Sequence, residues 1–469
     1  MAANEVSRRD VLLLASLFVL EVSTAVVMTA LHMKGARPFD VFLSSRPGLA
    51  FGCALATLFI GGTLVLRRYL THKRSPSRSF RLIVTMHLIT VVVILVLGEL
   101  AVRAVVRHDL GREKVGNTVL KPRDWELTKR DYRPFVEKSR SDRAFFVHDD
   151  HMGWTLGVNR YSFDKGEGPY WSSKEKIRAA DQDVSYVKLK RKTDIAIIGD
   201  SFAFGDEVIF QETWGDKVDQ MLGDDYRVLN FGVPGYSLGQ AYLRYETEVV
   251  KWKPKVVIFG FIDYDLTRTM WVYPFVSSGW GLPFSKSRFV LRDGEIQNIN
   301  PNPLSPEEIF SAPRISTLPS IKYDIGYRPG DWQKRWYHAS YLVRLITSLF
   351  PAWSAPGANF SEEAILSTNI EILRTFIRSA EEAGSIPLVV WFPSRTDLQS
   401  LSTPLSLGKR MLDQASIPYI DPSPCLLELD PAVRFLDSHY SPQGNTAVAN
   451  CVYETIETVL AQVSGRVQK

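Results

Sequence analysis

The chain has few of the side chains that bind metals. It contains three cysteines and eight histidines in 469 residues, with no CxxC pair and no cysteine–histidine cluster. A zinc site would need such a cluster, so the sequence predicts no metal and no cofactor. Cys425 and Cys451 could pair in an oxidising compartment, but we expect two free, buried thiols.

The chain also lacks an excess of basic residues outside its N-terminal quarter. Up to Arg107 there are 13 lysines and arginines against 5 acidic residues, whereas the rest of the chain has 43 basic and 46 acidic residues. Nucleic-acid binding depends on neutralising phosphates with basic side chains. The sequence therefore predicts no nucleic-acid partner, and the basic balance belongs to the N-terminal part.

Long apolar runs are concentrated at the N-terminus, at residues 11–31, 49–66 and 82–106. Each is about the ~20 residues that a helix needs to cross a bilayer. The loop Arg67–Arg81 carries six cations and no acid, and cationic short loops stay in the cytoplasm. The pattern predicts a membrane anchor of three transmembrane helices over residues 1–107, with the N-terminus inside and everything after Arg107 outside. A cleaved export signal at the first run is the alternative.

Strand and helix patterns alternate from about residue 191 to the C-terminus at 469. The predicted helix over Ser361–Ala383 has one apolar face and is followed by Gly384. The predicted strands are Thr193–Ile198, Tyr226–Phe231, Lys255–Phe261, Pro387–Phe392 and Pro418–Asp421. Short apolar strands that alternate with helices are typical of a mainly parallel sheet covered on both faces, which is a three-layer α/β/α domain.

Two segments do not follow this pattern, one before the regular part of the chain and one within it. Residues 108–190 are charged and weakly periodic, so we interpret them as a connecting segment between the membrane and the domain. Residues 267–345 form an insertion rich in tryptophan, tyrosine, proline and glycine. Its aromatic rings could form a lid or a platform that stacks on sugar rings, or they could form a small core of the insertion itself.

The residues that indicate chemistry lie at two distant places. Ser201 follows the apolar run Ile195–Ile198 in the sequence Gly-Asp-Ser, at the carboxyl end of a predicted strand, where open α/β sheets place their ligands. Asp437 and His439 lie more than two hundred residues downstream. A serine hydroxyl needs a base to take its proton, and an imidazole needs a carboxylate to fix its tautomer. These three residues would supply the nucleophile, the base and the orienting acid of acyl-group hydrolysis.

These motifs resemble a known family. Gly199–Ser201, Asn230–Gly235 and Asp437-x-His439 are similar to blocks one, two and five of the SGNH/GDSL hydrolases, and the resemblance covers about residues 191–460. Met152–Trp154 and the apolar N-terminal segments look like membrane-anchored bacterial members of the family, which implies a bacterial inner membrane with the C-terminal domain on the periplasmic or extracellular side. The resemblance implies an SGNH-hydrolase fold, which is flavodoxin-like.

The resemblance also implies the role of each site residue. Ser201 would be the nucleophile, His439 the general base, and Asp437 the residue that orients the imidazole. The backbone N–H groups of Ser201 and Gly235 would form the oxyanion hole, with Gly232 as a competing assignment for the second donor. Glycine suits that position because a side chain would block close approach.

The third block departs from the family pattern. The family has Asn-Asp after this strand, whereas this chain has Asp263-Tyr264-Asp265, so Tyr264 stands where the amide donor is expected. The loss of one oxyanion donor costs on the order of 10²–10³ in rate in other enzymes. The Tyr264 hydroxyl could donate instead, the two backbone groups could suffice, or the domain could be inactive.

Two functions follow as expectations. The first is a membrane-anchored serine esterase of the SGNH/GDSL type, or an O-acyltransferase, that acts on acylated carbohydrate or lipid-linked substrates. The alternative is a degenerate SGNH-like domain that binds glycans or serves as a scaffold in the cell envelope.

Overall fold

The structure is a computed structural model, and it describes residues 78–162, 170–189, 192–349, 361–399 and 406–463. The first two predicted membrane segments, 11–31 and 49–66, lie outside these residues. The chain divides into two units. The first comprises residues up to Asp124 together with Gly330–Ala355, and the second comprises Trp125–Pro329 and Pro356–Lys469.

The first unit contains two helices and a small sheet. Helix Arg78–Val105 coincides with the third predicted apolar segment, and the other helix is Tyr341–Leu349. An antiparallel sheet is formed by strands Arg107–Asp109, Arg112–Val115 and Thr118–Val119. The Glu99 carboxylate accepts hydrogen bonds from the backbone N–H groups of Tyr341 and Leu342, at 3.0 and 2.8 Å, and thereby caps the second helix.

Within the part of the chain that is described, we find no helix whose length and apolar character would suffice for a membrane crossing.

A four-stranded parallel sheet forms the centre of the second unit. Its strands are β1 (Thr193–Gly199), β2 (Tyr226–Asn230), β3 (Val256–Phe261) and β4 (Ile386–Trp391). They lie in the order β2–β1–β3–β4, and each neighbouring pair is parallel. Parallel strands end at the same edge of a sheet, so the residues that follow β1, β2 and β3 are brought together there.

Helices cover both faces of this sheet. They are α1 (Ser201–Phe204), α2 (Trp214–Leu222), α3 (Leu238–Thr247), α4 (Glu362–Glu382), α5 (Leu407–Ala415) and α6 (Pro442–Val463). Ala196 and Ile198 of β1 pack in a core with α3, α4 and α5, whereas Ile195 and Ile197 pack in a second core with α2 and α6. Side chains alternate between the two faces along a strand, so one apolar run supplies both cores.

Shorter elements surround the sheet in the second unit. The remaining strands pair only antiparallel: Phe146–Asp149 with Gly153–Leu156, Tyr161–Ser162 with Tyr170–Ser172 and Arg178–Ala179, and Phe289–Arg292 with Glu295–Asn298. The remaining helices are Trp125–Ser139, Asp263–Arg268, Pro274–Ser277, Pro306–Ser311, Arg395–Gln399 and Ser423–Leu427. Residues 125–162 and 170–189, interpreted above as a connection, are thus part of this unit.

The sequence predicted most of the central architecture. The α/β class, the parallel sheet and its three layers are confirmed, and four of the five predicted strands are present within one residue at each end. The fifth, Pro418–Asp421, is reduced to a single bridge between Ile420 and Val390. The long helix begins after Ser361, whose side chain accepts the backbone N–H of Ala364 at 3.1 Å.

The expectation of two free thiols is wrong, because Cys425 and Cys451 form a disulfide. Cys425 lies on helix Ser423–Leu427 and Cys451 on α6, and packing of these two helices brings the Cα atoms to 6.3 Å. The sequence alone could not show this, because the pairing depends on a helix contact between residues 26 positions apart.

The disulfide predicts the number of titratable thiols in the denatured chain. Of the three cysteines, only Cys53 should react with a thiol-specific chromogenic reagent in denaturant without reductant, and all three should react after reduction. Three reactive thiols in protein purified without reductant would contradict the pairing. Replacing Cys425 and Cys451 by alanine should lower the free energy of unfolding by about 3 kcal/mol, since the crosslink restricts the unfolded chain.

Candidate active site

The sharp turn from β1 into α1 places Ser201 at the edge of the sheet. Gly199 has φ +147°, and a Cβ atom there would lie 2.2 Å from the carbonyl oxygen of Gly260 on β3, so only glycine fits. The Asp200 carboxylate then accepts the backbone N–H groups of Phe202 and Ala203, at 2.9 and 3.4 Å, and caps α1. Ser201 is the first residue of this short helix and is buried.

The structure brings Ser201 and His439 together. Ser201 Oγ lies 2.8 Å from His439 Nε2, although the two residues are 238 positions apart. Neighbouring contacts hold the loop that carries His439. Arg395 donates to the carbonyl oxygen of Leu436 at 2.7 Å, and the Tyr440 hydroxyl donates to that of Pro393 at 2.8 Å. The nucleophile and the base predicted from the sequence are therefore within hydrogen-bond distance.

Asp437 does not take the place that the sequence analysis expected for it. The carboxylate oxygen that lies 2.9 Å from His439 Nδ1 belongs to Glu207. Asp437 is exposed, and its backbone N–H donates to the same Glu207 carboxylate at 3.0 Å. The loop thus wraps its backbone around the carboxylate of Glu207, which the sequence analysis missed. The available signal was an acidic pair, Asp206-Glu207, a few residues after the serine and following a glycine.

Glu207 is held tightly in a buried position. Its backbone has φ +70°, an uncommon conformation for a residue with a side chain, and its N–H donates to the Tyr170 hydroxyl at 2.5 Å. Its carboxylate accepts the hydroxyl of Ser438 at 2.6 Å. Burial favours the neutral acid, but hydrogen bonds from His439 and Ser438 outweigh it and lower the pKa of Glu207. Glu207 is therefore ionised at neutral pH.

The charge on Glu207 fixes the tautomer of His439. An ionised carboxylate can only accept, so Nδ1 carries a proton, and Nε2 is left to accept the hydrogen of Ser201 Oγ. Two further acids face the imidazole: Asp206, with an oxygen 3.9 Å from Nε2, and Asp200. Burial opposes the charged ring, but the bond to Glu207 and the charge of Asp206 outweigh it and raise the pKa of His439.

The loop after β2 carries the predicted second oxyanion donor. Gly235 has φ +84°, and a Cβ atom there would make only ordinary contacts, the nearest at 3.4 Å to Leu282. Its backbone conformation, rather than the lack of space that the sequence analysis invoked, explains the glycine. Space is lacking at Gly232, where a Cβ atom would lie 2.6 Å from the backbone nitrogen of Phe204.

Asn230 connects the loop after β2 to α1, the helix that begins at Ser201. Its side-chain amide donates to the carbonyl oxygen of Ala203 at 2.9 Å, and its oxygen accepts the N–H of Gly232 at 2.9 Å. Further along the loop, the indole N–H of Trp154 donates to the carbonyl oxygen of Pro234 at 3.3 Å. Asn230 thus fixes the loop on which Gly235 lies relative to α1, and Trp154 fixes it relative to strand Gly153–Leu156.

The residues after β3 serve other purposes than the family pattern implies. The Asp263 carboxylate accepts the indole N–H of Trp391 at 2.7 Å and the backbone N–H groups of Leu407 and Gly408, at 2.7 and 2.9 Å, and so caps α5. The ring of Tyr264 lies 4.8 Å from the guanidinium of Arg268. A role for the Tyr264 hydroxyl in an oxyanion hole stays a prediction.

A buried group of three ionisable side chains, Arg268, Asp200 and Asp265, lies next to Ser201. Arg268 contacts Asp200 at 3.5 Å and forms a close ion pair with Asp265, and all three side chains are buried. Burial raises the pKa of both carboxyls, and for Asp265 the charge of Asp200 adds to this, while Arg268 opposes it in both. The Asp265 carboxylate also accepts the N–H of Ile262 at 3.1 Å. This group connects the end of β1 to the end of β3.

Comparison with known proteins gives structural likenesses only. No family model matches the chain, and no curated protein matches it in sequence. Among solved structures it is similar to a protein assigned to the G-D-S-L lipolytic family from Desulfitobacterium hafniense, with 14% identity and a TM-score of 0.29 over 56% of this chain and 99% of that one. It is also similar to a lipase/acylhydrolase from Enterococcus faecalis, with 13% identity and a TM-score of 0.30 over 56% and 95% of the two chains.

A third similar structure is an acetyl-xylooligosaccharide esterase from Geobacillus, with 13% identity and a TM-score of 0.29 over 57% of this chain and 95% of that one. These three solved structures are thus described as a lipolytic protein, a lipase/acylhydrolase and an esterase. At these TM-scores the likeness carries no weight for the activity, which is inferred from the side-chain geometry.

The contact between His439 and Glu207 predicts the pH dependence of ester hydrolysis. A general base must be neutral to take a proton, so kcat/KM should fall as the pH drops below the raised pKa of His439. In the pH profile of kcat/KM, the midpoint of this acidic limb should lie above pH 6.5. In Glu207→Gln the lost negative charge should move this limb to lower pH and reduce kcat by about 10³–10⁴-fold.

The matched control is Asp437→Asn, assayed with the same chromogenic ester across the same pH range. Because the Asp437 contact to Glu207 comes from its backbone N–H, kcat should change by less than about threefold and the limb should not move. A large loss in Asp437→Asn with an unchanged Glu207→Gln would reverse the assignment.

Proposed function

We propose that this protein is a serine hydrolase of the SGNH/GDSL type that acts on ester bonds. The observation that carries the proposal is the relay from Ser201 through His439 to Glu207, with heavy-atom distances of 2.8 and 2.9 Å. Both distances are those of good hydrogen bonds. The order of the groups is that of nucleophile, base and orienting carboxylate.

The relay suggests the following reaction. Ser201 Oγ attacks the acyl carbon while His439 Nε2 takes the hydroxyl proton, and the ionised Glu207 stabilises the imidazolium that forms. The negative charge on the carbonyl oxygen is held by the backbone N–H groups of Ser201 and Gly235. The intermediate collapses, His439 returns the proton to the leaving alcohol, and an acyl group remains on Ser201.

The second half of the reaction decides between hydrolysis and transfer. Water that loses its proton to His439 would release the acid, whereas a sugar hydroxyl in the same position would accept the acyl group. We propose acylated carbohydrate or lipid-linked substrates for both versions, because a tether at the membrane keeps the site close to the cell envelope. The alternative is a glycan-binding or scaffold protein without activity, which the tyrosine at position 264 favours.

We further propose that the chain is anchored in the membrane by its N-terminal apolar segments, with the site on the outer side. The disulfide between Cys425 and Cys451 supports an oxidising compartment.

The hydrolase proposal predicts covalent chemistry at Ser201. The full-length protein in detergent should hydrolyse 4-nitrophenyl acetate and should be labelled by a fluorophosphonate probe. Ser201→Ala should lose the labelling and lower kcat by about 10⁴-fold or more, because no other hydroxyl replaces the nucleophile. Labelling that persists in Ser201→Ala, or a wild-type protein that neither reacts nor turns over, would favour the binding-only alternative.

The membrane proposal predicts the accessibility of the two chain ends. In intact spheroplasts, added protease should remove an epitope tag at the C-terminus and leave an N-terminal tag intact. Protection of the C-terminal tag until the cells are lysed would contradict an outer location. Loss of the N-terminal tag from the mature chain would instead indicate a cleaved export signal.

A further inference from the structure

The rings of Tyr264 and Trp280 lie against the Arg268 side chain, and the Trp271 ring packs against both of them. We call Tyr264, Trp271 and Trp280 the aromatic shelf. The guanidinium lies 4.8 Å from the ring centroid of Tyr264 and 4.6 Å from that of Trp280. The three rings also contact one another edge to face, with centroids 5.6 to 6.2 Å apart. Such contacts favour one fixed arrangement of the rings.

The aromatic shelf borders the proposed catalytic site. Arg268 donates to the Asp200 carboxylate and to the carbonyl oxygen of Tyr236, both at 3.5 Å, and these residues adjoin Ser201 and Gly235 in sequence. A Cβ atom on Gly235 would lie 3.6 Å from the Trp280 ring. A substrate whose acyl carbonyl reaches the proposed oxyanion hole would therefore have the shelf beside it.

The shelf has a fixed inner side and an open outer side. Trp271 is buried, with 2% of its surface exposed, whereas Tyr264 is 44% exposed and Trp280 is partly exposed. The Trp280 carbonyl oxygen accepts a hydrogen bond from the Tyr132 hydroxyl at 2.7 Å, and the backbone N–H of Trp280 donates to Ser278 Oγ at 3.4 Å. The backbone of Trp280 is thus held in place, and both outer rings reach solvent.

Other aromatic residues of the same insertion differ in this respect. Tyr273 and Phe275 are buried, and Phe275 packs against Trp125, Tyr132 and Phe310. These rings form a core that the insertion shares with helix Trp125–Ser139, so it is not a core of the insertion alone, which was one of the two interpretations of its aromatic content. Tyr264 and Trp280 therefore need another explanation.

We propose that Tyr264 and Trp280 form a subsite for a pyranose ring of an acylated carbohydrate, an inference that rests on the proposed esterase function. The C–H groups on one face of a sugar ring are weakly positive and apolar, and they suit the negative face of an aromatic ring. Tyr264 and Trp280 stand at 77° to each other, which makes an open corner. One face of the sugar packs in the corner while its hydroxyls remain in water.

An acyl chain fits this corner less well. A hydrocarbon chain gains most when apolar walls enclose it on all sides, whereas a corner of two partly exposed rings leaves half of it in water. An anionic sugar is also disfavoured, because Arg268 is buried and already paired with Asp265 and Asp200. The subsite therefore selects a neutral ring.

The test measures binding in Ser201→Ala, so that turnover plays no part. The full-length Ser201→Ala protein in detergent is titrated with partly acetylated xylo-, manno- and gluco-oligosaccharides by calorimetry. We expect measurable binding to at least one series, and a loss of affinity of about tenfold for that series when Tyr264→Ala or Trp280→Ala is added. Tyr264→Phe should bind within about twofold of its parent, because it keeps the ring.

The matched control is Tyr161→Ala in the same background. Tyr161 belongs to the same unit as Tyr264 and is 45% exposed. Its ring lies 5.3 Å from that of Trp171, so it is a partly exposed tyrosine beside a tryptophan, as Tyr264 is, but it does not belong to the aromatic shelf. The affinity of this variant for the sugars should equal that of its Ser201→Ala parent. Thermal melting of each variant shows that it is folded.

The outcomes separate this inference from the proposed function. If the wild-type protein is labelled by the fluorophosphonate but no sugar series binds Ser201→Ala, or Tyr264→Ala and Trp280→Ala bind as their parent does, the subsite is overturned while the esterase stands. If the shelf variants lose binding but Ser201 is never labelled, the sugar subsite stands and the catalytic proposal fails.

Discussion

The buried carboxylate of Glu207 organises the loop that carries His439, and the rest of the site depends on it. It accepts the backbone N–H groups of Asp437, Ser438 and His439, the Ser438 hydroxyl and the His439 ring. A buried carboxylate is costly unless its lone pairs are satisfied. All these donors come from three consecutive residues, so the loop conformation and the charge of Glu207 stabilise each other, and the base is oriented before a substrate arrives.

Support for Glu207 comes from a part of the chain that the sequence did not connect with function. Its own N–H donates to the hydroxyl of Tyr170, and Arg178 stacks on the Tyr170 ring at 4.3 Å while donating to the carbonyl oxygen of Val208 at 2.8 Å. A positive φ costs about 1–3 kcal/mol in a residue with a side chain and persists only where its surroundings hold it. Residues before the sheet thus hold the acid in its uncommon conformation.

The sequence predicted the elements whose signals are local. Apolar runs located the four strands, and one apolar face located α4, because both signals lie within the element they define. The identity of the acid that contacts His439 depends instead on how the chain turns after α1. Gly205, with φ +76°, turns the chain after α1 so that Glu207 returns to the site. In the sequence, the close spacing of Asp437 and His439 was the stronger pattern, and it proved to describe backbone contacts rather than the carboxylate contact.

The residues after β3 show how the site could work without the usual amide donor. Asp263 is committed to the cap of α5, and the Tyr264 ring packs with Arg268. The donors proposed for the developing negative charge are the backbone N–H groups of Ser201 and Gly235. Donors stabilise a transition state to the extent that they are fixed beforehand, whether they belong to backbone or side chain. Asn230 bonds both to α1 and to Gly232, and it sets the two proposed donors in one rigid frame. In the proposed reaction, the geometry on the β2 side would carry the stabilisation that the family pattern assigns in part to the β3 side.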